Sequence, residues 1–192
     1  MLKAMRNKRG FTLVELMIVV AIVGVLAVLA IYGVRKYIAN SKTTEARNSL
    51  GQISKDAAVA FEKERGNSAI VPIAGSSGLL RELCPSSNQV PSSGPPKSAK
   101  YQSAPVDWGT GAAATPAAIA SWGCLKFSLE QPQYYQYQYV ATDTTSATGT
   151  YYATASGDLN GDGVFSEFRI NGSVQNGALT TSPVLGELNP EE

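Results

Sequence analysis

Histidine is absent from the 192 residues. That removes the commonest general base near neutral pH and the commonest metal ligand. Cysteine is scarce: only Cys84 and Cys124 occur, too few for a Cys/His zinc cluster. Charge is sparse as well, 16% of residues, and almost balanced at a formal +1. No basic surface therefore makes nucleic acid an obligatory partner. No Gly-x-Ser-x-Gly elbow and no phosphate-cradling Gly-x-x-x-x-Gly-Lys loop is found. The scattered Ser and Asp read as loop chemistry, so the sequence is not that expected of an enzyme.

What is present is concentrated at one end. Residues 1–10 hold Lys3, Arg6, Lys8 and Arg9 and no acid, so losing this leader would take the charge from +1 to −3. Residues 16–34 carry no charge at all. Such a helix, at ~1.5 Å per residue, reaches about 28 Å, roughly the hydrocarbon thickness of a bilayer. The run is longer than the apolar core of a secretory signal and no small-x-small site closes it. The expected topology is a single-pass span with the basic leader in the cytoplasm. Arg35, Lys36 and Lys42 on the far side weaken that charge rule without reversing it. One acid, Glu15, stands at the margin of the run. An acid beside a spanning helix is costly, which marks Glu15 as a functional candidate whose partner must be sought.

The motif Gly10-Phe11-Thr12-Leu13-Val14-Glu15, set between a basic leader and an apolar helix, resembles the N-terminal signature of type IV pilin and pseudopilin precursors. The resemblance is close over about residues 1–65. It implies cleavage between Gly10 and Phe11 by a prepilin peptidase, and methylation of the new Phe11 amine. Gly at position 10 suits that step physically, because a peptidase must approach the backbone closely. The resemblance also implies that Glu15 pairs in assembly with the amine of a neighbouring subunit. The implied fold is α+β: a long N-terminal helix, spanning membrane in its first half, packed on a C-terminal antiparallel β-sheet. The implied function is a structural subunit of a surface pilus, or fimbrium, serving motility, adhesion or DNA uptake. Its partners would be further copies of itself in a helical homopolymer, the peptidase, and pilus or secretion assembly machinery in the inner membrane. It would wait in the inner membrane and reach the cell surface on assembly. A type II secretion pseudopilin, a minor pilin and a non-polymerising membrane-anchored binding domain are the alternatives. Many family members have Pro where Tyr32 stands. Tyr keeps its N–H, so the usual physical cause of a helix break is missing here.

Organisation follows from pattern. Residues 1–10 are the leader, 11–34 the membrane and assembly helix, and 35–65 its amphipathic continuation. In that continuation Ala46, Leu50, Ile53, Ala57 and Phe61 repeat on one narrow face. Gly66-Asn67 is the expected stop. Residues 66–123, rich in Pro, Ser and Gly, read as loop, with one helical turn over Leu79-Leu80-Arg81-Glu82-Leu83. Residues 124–192 read as antiparallel sheet. Strands are expected at residues 124–129, 135–139, 150–155 and 164–170. The row Tyr135, Tyr137, Tyr139 is either a functional aromatic stripe or a core face, the second being the ordinary case.

Two further features carry chemistry. Cys84 and Cys124 follow the span, where the compartment is oxidising, and a disulfide is expected. It would close a loop of about 40 residues, worth roughly 4 kcal/mol on the chain-entropy model. The alternative is two free thiols. Asp158-Leu159-Asn160-Gly161-Asp162-Gly163 resembles the first half of a calcium loop. The second half departs, because Arg169 stands where the closing Glu belongs and Glu167 comes two residues early. A looser calcium site using Asp158, Asn160, Asp162, the Val164 carbonyl and Glu167 is one reading. Some type II secretion pseudopilins hold calcium in a comparable loop. A tight Asn-Gly and Asp-Gly turn between two strands is the other reading.

Overall fold

The computed structural model describes residues 10–63, 65–66, 79–110, 114–143 and 148–190. The leader 1–9 and two parts of the Pro/Ser/Gly-rich stretch, residues 67–78 (with Asn67, Pro72, Gly75 and Gly78) and 111–113, lie outside them. The chain divides into two compact units, Met1–Ile38 and Ala39–Glu192.

Helix α1 is Leu13–Glu62. It is unbroken between Gly24 and Tyr32. Within the second unit its apolar face carries Ala46, Leu50, Ile53, Ala57, Ala60 and Phe61, all essentially buried. The face expected from spacing is therefore the face used. The helix stops at Glu62, short of the expected residue 65. Arg65–Gly66 is instead strand β1, paired with β2 at Leu79–Leu80. The helical turn expected at residues 79–83 does not form; a single uncapped turn cannot meet the cost of helix nucleation, whereas a short ladder satisfies those backbone groups.

The region read as loop contains a 3-10 turn at Pro105–Trp108 and helix α2 at Pro116–Leu125. α2 corrects the strand expected at residues 124–129, and the sheet boundary expected at 124 moves to Gln136. Thr115 caps α2, its hydroxyl accepting from the Ala118 N–H at 3.2 Å, and Pro116 takes the first helical position. Lys126 closes it in the left-handed region, φ 62°, its N–H donating to the Trp122 carbonyl. The apparent alternation arises because Leu125 and Phe127 both turn into the core from a helix end and an irregular segment.

The main sheet is antiparallel, in the order β3 (Gln136–Asp143), β4 (Thr150–Gly157), β5 (Ser166–Gln175), β6 (Ala178–Thr181). β7 (Gly186–Leu188) also pairs with β5. β5 starts at Ser166, two residues later than expected. β6 follows from Asn176-Gly177, both at positive φ (53° and 78°), which is the two-residue hairpin signal. Tyr135, Tyr137 and Tyr139 are wholly buried, so the row is a core face. Ala153 and Ala155 lie beside them, with Phe168 and Ile170 on β5. Trp108, Trp122 and Phe127 form an adjoining aromatic cluster with ring centroids 5.0 to 5.6 Å apart. Gly172 leaves room for the Tyr151 ring, because a Cβ there would overlap its Cε1 edge.

The open edge of β3 is covered by residues 86–90, which form no regular strand. Val90 exchanges backbone hydrogen bonds with Tyr137 at 3.0 and 2.9 Å. Ser87 and Ser86 supply hydroxyls where a strand would supply carbonyls: Ser87 Oγ accepts from the Tyr139 N–H and Ser86 Oγ from the Ala141 N–H. The strap thus protects an edge that would otherwise invite pairing with another chain.

Candidate functional site

Gly10, Phe11 and Thr12 precede the helix and carry no regular structure. Phe11 is 86% exposed. The Gly10–Phe11 bond therefore lies in accessible, non-helical chain. Helix α1 begins with a reciprocal cap. The Glu15 N–H donates to Thr12 Oγ1 at 3.2 Å, and Glu15 Oε2 accepts from the Thr12 N–H at 2.9 Å and the Thr12 hydroxyl at 3.0 Å. This is a capping box. Thr12 is the residue that the sequence reading missed, although Thr-x-x-Glu ahead of an apolar run was the available signal. From Leu13 to Ile38 the large apolar side chains, Leu16, Val19, Val23, Leu26 and Val28 among them, are all exposed. Among the described residues α1 is the one helix long and apolar enough to cross a membrane. Its apolar surface has no cover within its own unit, and soluble proteins rarely leave so large a contiguous patch open.

A family model described as the prokaryotic N-terminal methylation motif matches residues 5–31. The chain is 46% identical over 57 residues to the type IV major alpha-pilin of Moraxella bovis, covering 29% of this chain and 36% of that protein. It is 34% identical over 93 residues to fimbrial protein EcpC of Eikenella corrodens, covering 38% and 60%. It is 57% identical over 44 residues to the type IV major pilin protein PilA of Myxococcus xanthus, covering 23% and 20%. The N-terminal segment is pilin-like. The matches span less than two thirds of the length of each of these relatives, and no solved structure matches the chain. The pilin-like helix is joined to an antiparallel sheet in the arrangement expected of the pilin fold, with the second half of α1 on one sheet face.

Cys84 and Cys124 form a disulfide with Cα atoms 5.9 Å apart. Its partner element is α2, not a strand. The bridge ties the chain two residues ahead of the edge-covering strap to α2.

The 158–163 loop is a turn built from its own side chains. Asp158 is fully buried; its Oδ1 accepts from the Gly161 N–H at 2.6 Å and its Oδ2 from the Gly163 N–H at 3.1 Å. Asn160 Oδ1 accepts from Asp162 N–H, and Asp162 Oδ1 from Val164 N–H. The Asp158 backbone is tied to a second loop through Pro96 and Ser98. Glu167 is not drawn in; it lies in β5 opposite Ser156. Among the described residues no three acidic or Cys side chains gather as metal ligands. The internal hydrogen bonds give the loop the form of a tight turn, and the Asp158, Asn160 and Asp162 oxygens each keep a lone pair beyond the amide they accept from.

A second polar constellation ties α1 to the sheet. Glu45 Oε1 accepts from the Tyr134 N–H at 2.8 Å and the Tyr137 hydroxyl at 3.3 Å. Burial raises its pKa above the ordinary carboxylate value, against the opposing pull of these hydrogen bonds and of Lys100. Lys42 and Lys100 each stand over the Tyr134 ring, at 4.7 and 4.8 Å. Burial likewise pushes Tyr135 up to about 12. Arg47 makes a two-point ion pair with Glu187 at 2.8 and 3.1 Å, holding the three-residue strand β7 against α1.

Proposed function

We propose that this chain is a type IV pilin structural subunit. A prepilin peptidase cuts it after Gly10, Phe11 is methylated, and the mature chain polymerises through its apolar helix into a surface fibre, with a structural rather than catalytic role. The observation that carries this reading is the uncharged helix segment 16–34, exposed all round behind a Thr12–Glu15 cap. Such a surface needs a dry environment. Lipid supplies it before assembly and neighbouring copies of the same helix supply it afterwards. The inner-membrane assembly machinery would move the subunit from one to the other.

Glu15 is the register element. Before cleavage its carboxylate is occupied by Thr12. Cleavage creates an amine at Phe11, and burying either charge unpaired in a packed helical core is strongly unfavourable. A subunit docked one step along the axis can bring its amine to a Glu15 already in place. A secretion pseudopilin shares the N-terminal segment and is the second reading, favoured by the calcium-like spacing from Asp158 to Gly163.

Two substitutions separate the roles. Glu15→Gln keeps a side chain able to complete the cap but not the charge; Glu15→Leu loses both. Each is expected to insert and to be cut after Gly10, and neither to yield fibres as the only subunit. N-terminal sequencing of sheared wild-type fibres should begin at Phe11. Fibres built of chains retaining the leader would refute the processing step. Normal fibres from Glu15→Gln would refute the charge pairing and leave the cap as the role of Glu15.

A further inference from the structure

The sheet face turned away from α1 has its own organisation. Along β4 and β5 the residues that point outward include Tyr152, Thr154, Arg169, Asn171, Ser173 and Gln175. Where β4, β5 and β6 meet, this face holds a concavity of about 450 Å³, within the size range of small-molecule clefts. Tyr152, Arg169, Asn171, Ser173, Gln175 and Thr180 are among its walls.

Arg169 is held in place before any ligand arrives. Its guanidinium lies 3.9 Å from the Tyr152 ring centroid, and its Nε–H donates to Asn171 Oδ1 at 3.0 Å. Neither Nη has a partner among the described residues. A planar fork stacked on an aromatic ring and tethered at Nε has lost most of its freedom already. Its remaining N–H groups suit a carboxylate bidentately. Among the described residues no carboxylate lines the concavity. Glu167 lies on the same face but outside it, opposite Ser156 and Leu188.

We propose that this concavity binds an acidic saccharide. The Arg169 fork takes the sugar carboxylate, and the amides and hydroxyls of Asn171, Ser173, Gln175 and Thr180 take ring hydroxyls. One cation in an otherwise uncharged polar wall matches one carboxylate on a polyhydroxylated ring. It does not match a nucleic acid, whose affinity rests on several phosphate contacts. The site lies on the face opposite α1, so it stands or falls independently of polymerisation through that helix.

The test is calorimetric titration of the full chain in a sugar-free detergent with digalacturonate, lactose and inorganic phosphate. Digalacturonate is expected to bind with a Kd of about 1 mM or tighter, and the other two at least roughly tenfold more weakly. Arg169→Gln should weaken digalacturonate binding at least about tenfold. Arg169→Lys, which keeps the charge without the fork, should bind several-fold more weakly than wild type. Circular dichroism checks that each variant is folded; should Arg169→Gln fail to fold, Arg169→Lys carries the test. No digalacturonate binding, phosphate binding as tight, or unchanged affinity in the folded variants would each overturn the proposal.

Discussion

Removing the Asp158 carboxylate tests the turn it builds over residues 158–163, and added calcium tests whether that loop also takes the ion. In Asp158→Ala the Gly161 and Gly163 N–H groups lose their acceptor. A buried amide left unpaired costs about 1–3 kcal/mol. Gly161 and Gly163 are themselves exposed, so water reaches their amides, and the lower end applies to each. The expected loss is about 2 kcal/mol, with the cost of burying the carboxylate recovered in part. For a chain of this length that is a fall in Tm of about 4 to 8 °C. Asp162 is exposed, so Asp162→Ala should cost about 0.5 kcal/mol or less. Thermal unfolding of the full chain in detergent micelles, followed by circular dichroism with and without millimolar calcium, reads both quantities. Calcium should leave the Tm of wild type unchanged. An Asp158→Ala variant melting with wild type would refute the account of the turn. A calcium-dependent rise abolished by Asp162→Ala would establish the metal site.

The Cys84–Cys124 bridge should contribute about 4 kcal/mol by constraining the unfolded chain. Cys124→Ser, or reduction of wild type, is then expected to lower Tm by roughly 8 to 16 °C. Non-reducing peptide mapping should find one linked pair, and two alkylatable thiols in native protein would refute it. Burial raises the Glu45 pKa above its ordinary value of 4.5, so the folded state holds its proton more tightly than the unfolded one. The associated stability is fully present below the unfolded value and is lost as pH rises through the folded one. Glu45→Gln, which keeps an acceptor for Tyr134 and Tyr137, should flatten that part of the stability–pH curve. An unchanged slope would show that other groups set it.

Periodic and local features were legible in the sequence because short-range physics fixes them. The uncharged span, the Gly10-Phe11 motif and the Ala46, Leu50, Ile53, Ala57, Phe61 face each follow from the spacing of neighbours along one element. So does the buried row of Tyr135, Tyr137 and Tyr139. The Cys pair was legible for a different reason: two thiols in an oxidising compartment have few alternatives.

Tertiary structure decided whatever depends on groups distant in the chain. The alternation at Leu125 and Phe127 looks like a strand, but Thr115-Pro116 starts a helix upstream and Lys126 ends it. The strap at residues 86–90 has no period to read; only the unpaired edge of β3 gives Ser86 and Ser87 their role. β7 has three residues and no strong pattern, and it is held by β5 and by Arg47 from 140 positions earlier. Asp158 could have been a metal ligand by spacing alone. Its complete burial and its bonds to two backbone amides, which only the fold shows, make it the keystone of a turn as well.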